Sequence, residues 1–337
     1  MLKVFAVRPD GGAGRPTGLP LLVLIAVLPA TLYAAPEAVT ILARSAVAET
    51  TVGFRGTRTV EFFERDRRRA VVRQLVVHAP GGRTRVETLA PAACAGRLAV
   101  CDGEILWEYY PQRKRCVRRV LPSAAEARVH LQRSLERIRK ALHPRLVSTE
   151  QLLGRRVYRI LVSGPDGRPV RGSWVDAASF VELRADSYFP GGGLGSRTCF
   201  TSFAIQPSVG ESLFSFRPPP GTRTEDVPPP AAHLPLAQAE GKAGFRAYLP
   251  RYLPPGYVLC DEETALLPCR TQGMVIWMAF GNGLNSLSLF QSHCSQAAPA
   301  APERQVLCWR QQGFLFTLVG QMERSEMARI RDSVRPR

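Results

Sequence analysis

The stretch Cys101-Asp102-Gly103-Glu104-Ile105-Leu106-Trp107-Glu108-Tyr109-Tyr110-Pro111 decides how this chain is read. Asp102-Gly103 is a dipeptide that closes tight hairpins, because both residues tolerate positive φ. The alternation after it puts Ile105, Trp107 and Tyr109 on one face of a strand, and residues 97–101 supply the strand before it. Working outward, residues 51–63 are rich in Thr, Val and Phe, and 70–78 form an apolar β-branched run. Gly81-Gly82 then punctuates, and 83–89 alternates, with Thr84, Val86 and Thr88 opposite Arg83, Arg85 and Glu87. Downstream, 115–121 continues as a strand, 156–163 and 170–176 flank Gly164-Pro165-Asp166-Gly167, and 180–189 and 197–205 flank Pro190 and three glycines. Such short spacings imply antiparallel neighbours, in a meander that reaches about residue 216.

Two helices accompany the strands. Residues 36–48 carry Val39, Leu42, Ala43, Ala46 and Val47 at helical spacing. Ser123 and Glu126 form the capping box S-x-x-E, after which Leu131, Leu135, Ile138 and Leu142 recur at spacings of four, three and four, and Pro144 ends the run. The arginines 128, 133, 137 and 139 of that helix are read as a solvated face.

Composition then shifts. Residues 217–243 hold Pro218-Pro219-Pro220, Pro228-Pro229-Pro230 and Pro235, a semi-stiff linker poorly suited to joining a sheet. A second domain, 244–337, contains the strand pairs 274–280 with 284–291 and 306–310 with 314–319, and a last helix near Ser325 that buries Met327, Ile330 and Val334. The chain thus divides into a leader (1–35), a first domain (36–216), the linker and the second domain.

The leader has Lys3, Arg8 and Arg15 before an apolar run from 19 to 35, with small residues at 34 and 35; this reads as a Sec-type signal peptide, expected to be cleaved and set against a retained membrane anchor, so the mature chain is expected in the cell envelope. The formal net charge is +17, which favours acidic partners. With 41 Arg against 4 Lys, the skew reflects base composition of the genome, and export argues further against nucleic acid as a partner. The eight cysteines, Cys94, Cys101, Cys116, Cys199, Cys260, Cys269, Cys294 and Cys308, divide four and four between the domains and are expected as disulfides. Their spacing lacks the C-x2-C pairs of structural zinc sites.

The 101–111 hairpin resembles the "DG…lW.Y.P" hairpin of LolA-like proteins, followed in order by 154–161, Trp174-Val175-Asp176 and Phe214-Ser215-Phe216. Leu253-Pro254-Pro255-Gly256-Tyr257, residues 280–290, Leu318-Val319-Gly320 and residues 328–334 resemble the C-terminal domain of the MucB/RseB family. The resemblance implies an α+β fold: a LolA-like curved antiparallel half-barrel with covering helices, plus a small C-terminal α+β domain. It implies a periplasmic protein that binds the periplasmic segment of a membrane-spanning anti-sigma factor, restrains an envelope-stress sigma factor, and senses lipid or lipoprotein acyl chains. The alternative is a periplasmic lipid or lipoprotein carrier of the LolA type. The chain departs from the family in its cysteine count and in Ala279-Phe280-Gly281-Asn282, where a polar Ser-Asp precedes the turn glycine.

No G-x-S-x-G elbow, H-E-x-x-H helix or P-loop is present, and the five histidines are scattered, so neither an enzyme nor a cofactor or metal site is expected. Phe54, Trp107, Tyr109 and Trp174 are the candidate lining of a lipid cavity, set against ordinary core packing. Arg67, Arg68, Arg69, Arg113 and Arg115 are the candidate surface for an acidic partner, set against solvated hairpin turns. The triplet Asp261-Glu262-Glu263 is read as a solvated loop.

Overall fold

The computed structural model describes residues 37–206, 208–227, 233–269, 273–293 and 305–337. The expected signal peptide and Cys294 lie outside them. The first part of the chain runs α1 (Ala38–Thr51), β1 (Phe54–Glu64), β2 (Arg67–Ala79), β3 (Arg83–Ala90), β4 (Leu98–Cys101), β5 (Ile105–Tyr110), β6 (Arg115–Val120), α2 (Ala124–Ala141), β7 (His143–Leu152), β8 (Arg155–Ser163), β9 (Pro169–Asp176), β10 (Glu182–Tyr188), β11 (Leu194–Ile205) and β12 (Arg223–Val227). These strands form one open sheet in the order β12-β6-β5-β4-β3-β2-β1-β11-β10-β9-β8-β7. Each neighbouring pair is antiparallel except β12 with β6.

One hydrophobic cluster joins Ile41 of α1 and Ile138 of α2 to Val86 of β3, Val76 of β2, Phe54 of β1, Phe200 of β11, Val175 of β9 and Ile160 of β8. From β3 to β8 is about 29 Å across a flat sheet at the usual strand spacing, further than two helices of about 10 Å can cover. The sheet must therefore curl around them, which is the expected LolA-like half-barrel. The capping box of α2 is formed: the Ser123 hydroxyl accepts from the Glu126 amide at 3.3 Å, and the Glu126 carboxylate accepts from the Ser123 amide at 2.8 Å.

Two expectations change. Helix α2 ends at Ala141, ahead of Pro144 as expected, but residues 143–152, to which no strand was assigned, are a ten-residue edge strand; Pro144 is its second residue, a position an edge strand tolerates. The stretch read as a linker is largely structured where it is described: residues 223–227 form β12 on the edge of the sheet. The prolines flank this segment without interrupting it, so its amides stay available to the open edge of β6.

The second part runs α3 (Leu236–Ala243), β13 (Tyr248–Pro250), β14 (Val258–Leu259), β15 (Ala265–Cys269), β16 (Gly273–Gly281), β17 (Ser286–His293), β18 (Val306–Gln311), β19 (Phe314–Gly320), α4 (Arg324–Asp332) and β20 (Val334–Pro336). Its main sheet has the order β14-β16-β17-β19-β18, with β15 also on β16, and β13 pairs with β20. Met278, Leu289, Leu318 and Leu307 stand opposite one another across four strands. All four are buried, each contributing about 1.5–3 kcal/mol. Leu236 and Ala239 of α3 and Met327 and Ile330 of α4 close the same core. No helix among the described residues is long and apolar enough to cross a membrane.

Candidate partner-binding surfaces

Strand register decides which face each candidate side chain occupies. The row Val76, Val86, Ala99, Glu108, Val117 lies on the inner, helix-covered face of the first sheet, and the row Val77, Arg85, Val100, Trp107, Arg118 on the outer one. Likewise Val60, Thr198, Ala185, Ser173 and Ile160 are inner, and Thr59, Cys199, Arg184, Trp174 and Arg159 are outer. Of the four aromatics considered as a cavity lining, only Phe54 is on the inner face. It stacks on His78 with ring centroids 4.9 Å apart and meets Phe200 and Phe203 at 5.9 and 5.5 Å. His78 Nδ1 is 2.8 Å from the Val52 carbonyl, and burial holds its pKa below the usual imidazole value.

Trp107 and Tyr109 instead face outward and are covered by Phe216, at 6.0 and 5.8 Å, with the Arg118 guanidinium over Trp107. Trp174 donates its indole N–H to Glu150 at 2.8 Å and lies between the guanidinium groups of Arg159 and Arg184. The four do not form one site. Sequence alternation alone could not separate the faces, since it gives two sets without saying which one meets the helices.

The inner face holds polar groups that the sequence reading did not single out. Arg58 donates to Gln74 at 3.0 Å, and burial lowers its pKa to about 10, with Glu49 opposing. Glu108 is raised by burial, with Arg119 opposing.

The basic candidates separate into two hairpin ends with different surroundings. At the β1–β2 turn, Arg68 pairs with Glu61 at 2.8 Å and Arg69 with Glu64 at 3.1 Å, while Arg67 is exposed. At β5–β6, Arg113 is exposed, but Arg115 meets Glu225 of β12 at 2.6 Å and Arg118 meets Asp226 at 3.4 Å. A hydrogen bond from Arg115 holds the Glu225 carboxyl below its usual range.

The disulfide expectation is corrected for six cysteines: Cys94, Cys101, Cys116, Cys199, Cys260 and Cys308 are thiols. Topology excludes one pairing in the first sheet, Cys101 with Cys116. Cys101 on β4 pairs with Leu106 and Cys116 on β6 with Tyr109, so β5 runs between them and they point to opposite faces. Two strand spacings, about 9.6 Å, exceed the roughly 7 Å a disulfide can bridge. Cys269 ends β15.

Two features read separately as solvated turn out to be partners. Arg137 of α2 donates to Glu263 at 2.8 Å and also to Glu262, in the turn after Cys260. Asp261 of the same turn accepts from the amide of Leu236, the first residue of α3. The β16–β17 turn packs against α2 as well: a side chain at Gly283, whose φ is +90°, would place Cβ 2.3 Å from the Ser134 carbonyl oxygen. His130 of α2 and His233 approach to 6.3 Å. Helix α2 therefore serves both sheets: Leu135 and Ile138 pack in the core of the first, while Ser134, Arg137 and again Ile138 meet the second. Among the described residues, no group of three or more His, Cys, Asp or Glu is arranged to hold a metal ion.

An open half-barrel wrapped around two helices, joined through one of them to a small sheet with its own two helices, is a LolA-like α+β architecture with an appended C-terminal unit. It is the fold of MucB. The complex structure of Pseudomonas aeruginosa MucA/MucB superposes with a TM-score of 0.57 at 17% identity, covering 89% of this chain and 98% of that one. MucB in complex with MucA(peri) gives 0.56 at 17%, covering 89% and 99%, and MucB in a further crystal structure gives 0.50 at 18%, covering 89% and 98%. No family model matches the sequence, and no curated protein matches it.

Proposed function

We propose that this chain is a periplasmic binding protein without catalysis, which takes up the periplasmic segment of a membrane-spanning anti-sigma factor and so restrains an envelope-stress sigma factor. The observation that carries this reading is the joint superposition of both units, docked through α2, on MucB bound to MucA. A carrier of the LolA type needs only the first unit, so the second unit and its fitted junction favour the regulator. Lipid or lipoprotein acyl chains are proposed as a second class of ligand that modulates this binding. Phe54, Phe200 and Phe203 are the apolar side chains of the inner face nearest to such a role. Ordering a flexible partner segment costs free energy, so its interface must be extensive.

Native mass spectrometry of the protein purified gently from its own cell envelope tests the proposal. A bound fragment of a membrane-spanning regulator is the expected result. Bound lipid or lipoprotein with no protein partner would replace it with the carrier reading.

A further inference from the structure

Strand β12 is short, charged and solvent-facing. Its five residues pair in parallel with β6, Arg223 opposite Arg115 through Val227 opposite Arg119. Parallel pairing is the weaker kind per residue, and edge strands expose a row of backbone donors and acceptors. What selects this segment is charge. Glu225 reaches Arg115 on the inner face of β6, and Asp226 reaches Arg118 on the outer face, where that guanidinium also covers Trp107. Consecutive acids thus satisfy arginines on both sides of one strand, as period-two alternation requires. Prolines flank the segment at 218–220 and 228–230. Upstream, Phe214 is buried with Val77 and Ala79, and Phe216 covers Trp107 and Tyr109, so the chain is anchored before it reaches the edge.

We infer that β12 is a built-in strap occupying a docking edge, and that the edge of β6 binds an extended acidic partner segment carrying two adjacent carboxylates, which adds as a strand in place of residues 223–227. Backbone pairing to β6 supplies affinity, and Arg115 and Arg118 supply selectivity. The strap competes for the same edge, so apparent affinity is reduced by the fraction of molecules with β12 in place. This deepens the regulator reading by naming the edge and the partner chemistry.

The test needs no natural partner, so its failure leaves the anti-sigma reading standing. The probe is a labelled peptide spanning residues 221–227, titrated by fluorescence anisotropy into the full chain. The double variant Glu225→Lys/Asp226→Lys opens the edge and is expected to bind the peptide about tenfold tighter than the unaltered chain. Arg115→Glu/Arg118→Glu is expected to lose binding, as is a peptide with both acids replaced by lysine. Equal affinity for the unaltered chain and the strap variant would overturn the proposal. Hydrogen exchange on the unaltered chain decides it independently of variant folding. Amides of 223–227 should exchange at least about tenfold faster than those between β5 and β6. Equal protection of the two would show that β12 is a fixed part of the sheet.

Discussion

Arg137 on α2 and Glu263 in the second unit are 2.8 Å apart, with Glu262 on the same guanidinium and the Arg137 side chain only 15% exposed. This pairing joins α2, one of the two helices packed against the half-barrel, to the small C-terminal unit. The guanidinium fork suits two carboxylates, and lysine could not match it with one ammonium.

Replacing Arg137 with Glu should therefore loosen the junction. Four like charges would meet, counting Asp261. The expected loss is about 1–3 kcal/mol, with a larger radius of gyration by small-angle scattering while both cores stay folded. Arg137→Lys should fall between. An unchanged scattering profile for Arg137→Glu would show that other contacts hold the units together.

Gly283→Ala should be more disruptive than its size suggests. The φ of +90° already disfavours any side chain, and the added methyl would lie 2.3 Å from the Ser134 carbonyl oxygen and 2.9 Å from Ile138. Strain and displacement together are expected to cost about 2–3 kcal/mol in denaturant unfolding. Alanine at Gly313, which has positive φ but no atom nearby, should cost only the conformational part, near 1 kcal/mol.

Asp186 should govern part of the acid stability. Its side chain is 2% exposed and receives paired hydrogen bonds from Arg184 and Arg197. Burial alone would raise its pKa, but the bonds and charges of Arg197 and Arg184 outweigh burial and hold it below the usual value. A depressed folded pKa means that the stabilisation is present above the unfolded value of about 3.9 and is lost as pH falls through the folded one. Asp186→Ala should cost about 2–4 kcal/mol at pH 7, and the difference from the unaltered chain should shrink below about pH 4. Chemical denaturation at pH 7 and pH 3 measures both.

The thiols should be silent until the protein unfolds. Burial pushes Cys116 up to about 11 and Cys260 up to about 12, so little thiolate exists near neutrality. Iodoacetamide should leave both unmodified in the folded protein and should alkylate both in denaturant without reductant. A requirement for reductant would restore the disulfide expectation for these positions.

The local elements were legible in the sequence, because their signals are short-range. Asp102-Gly103 set the β4–β5 hairpin, Ser123 and Glu126 set the start of α2, and alternation over 83–89 set β3. The sequence also pointed to the right fold, through the order of motifs across both units. Edge strands were harder to read. β7 carries Pro144 as its second residue, which reads as a helix stop and hides the strand that follows, and β12 draws its partner from a strand 108 positions away, the separation of Arg223 from Arg115. Which face of each strand meets the helices follows from packing between distant elements, and this separates Phe54 from Trp107, Tyr109 and Trp174. The tertiary structure alone paired Arg137 with Glu262 and Glu263, and Arg115 with Glu225. Period-two alternation fixes that neighbours point apart but not which side is inside, and charge complementarity has no sequence spacing when the partners lie on different elements.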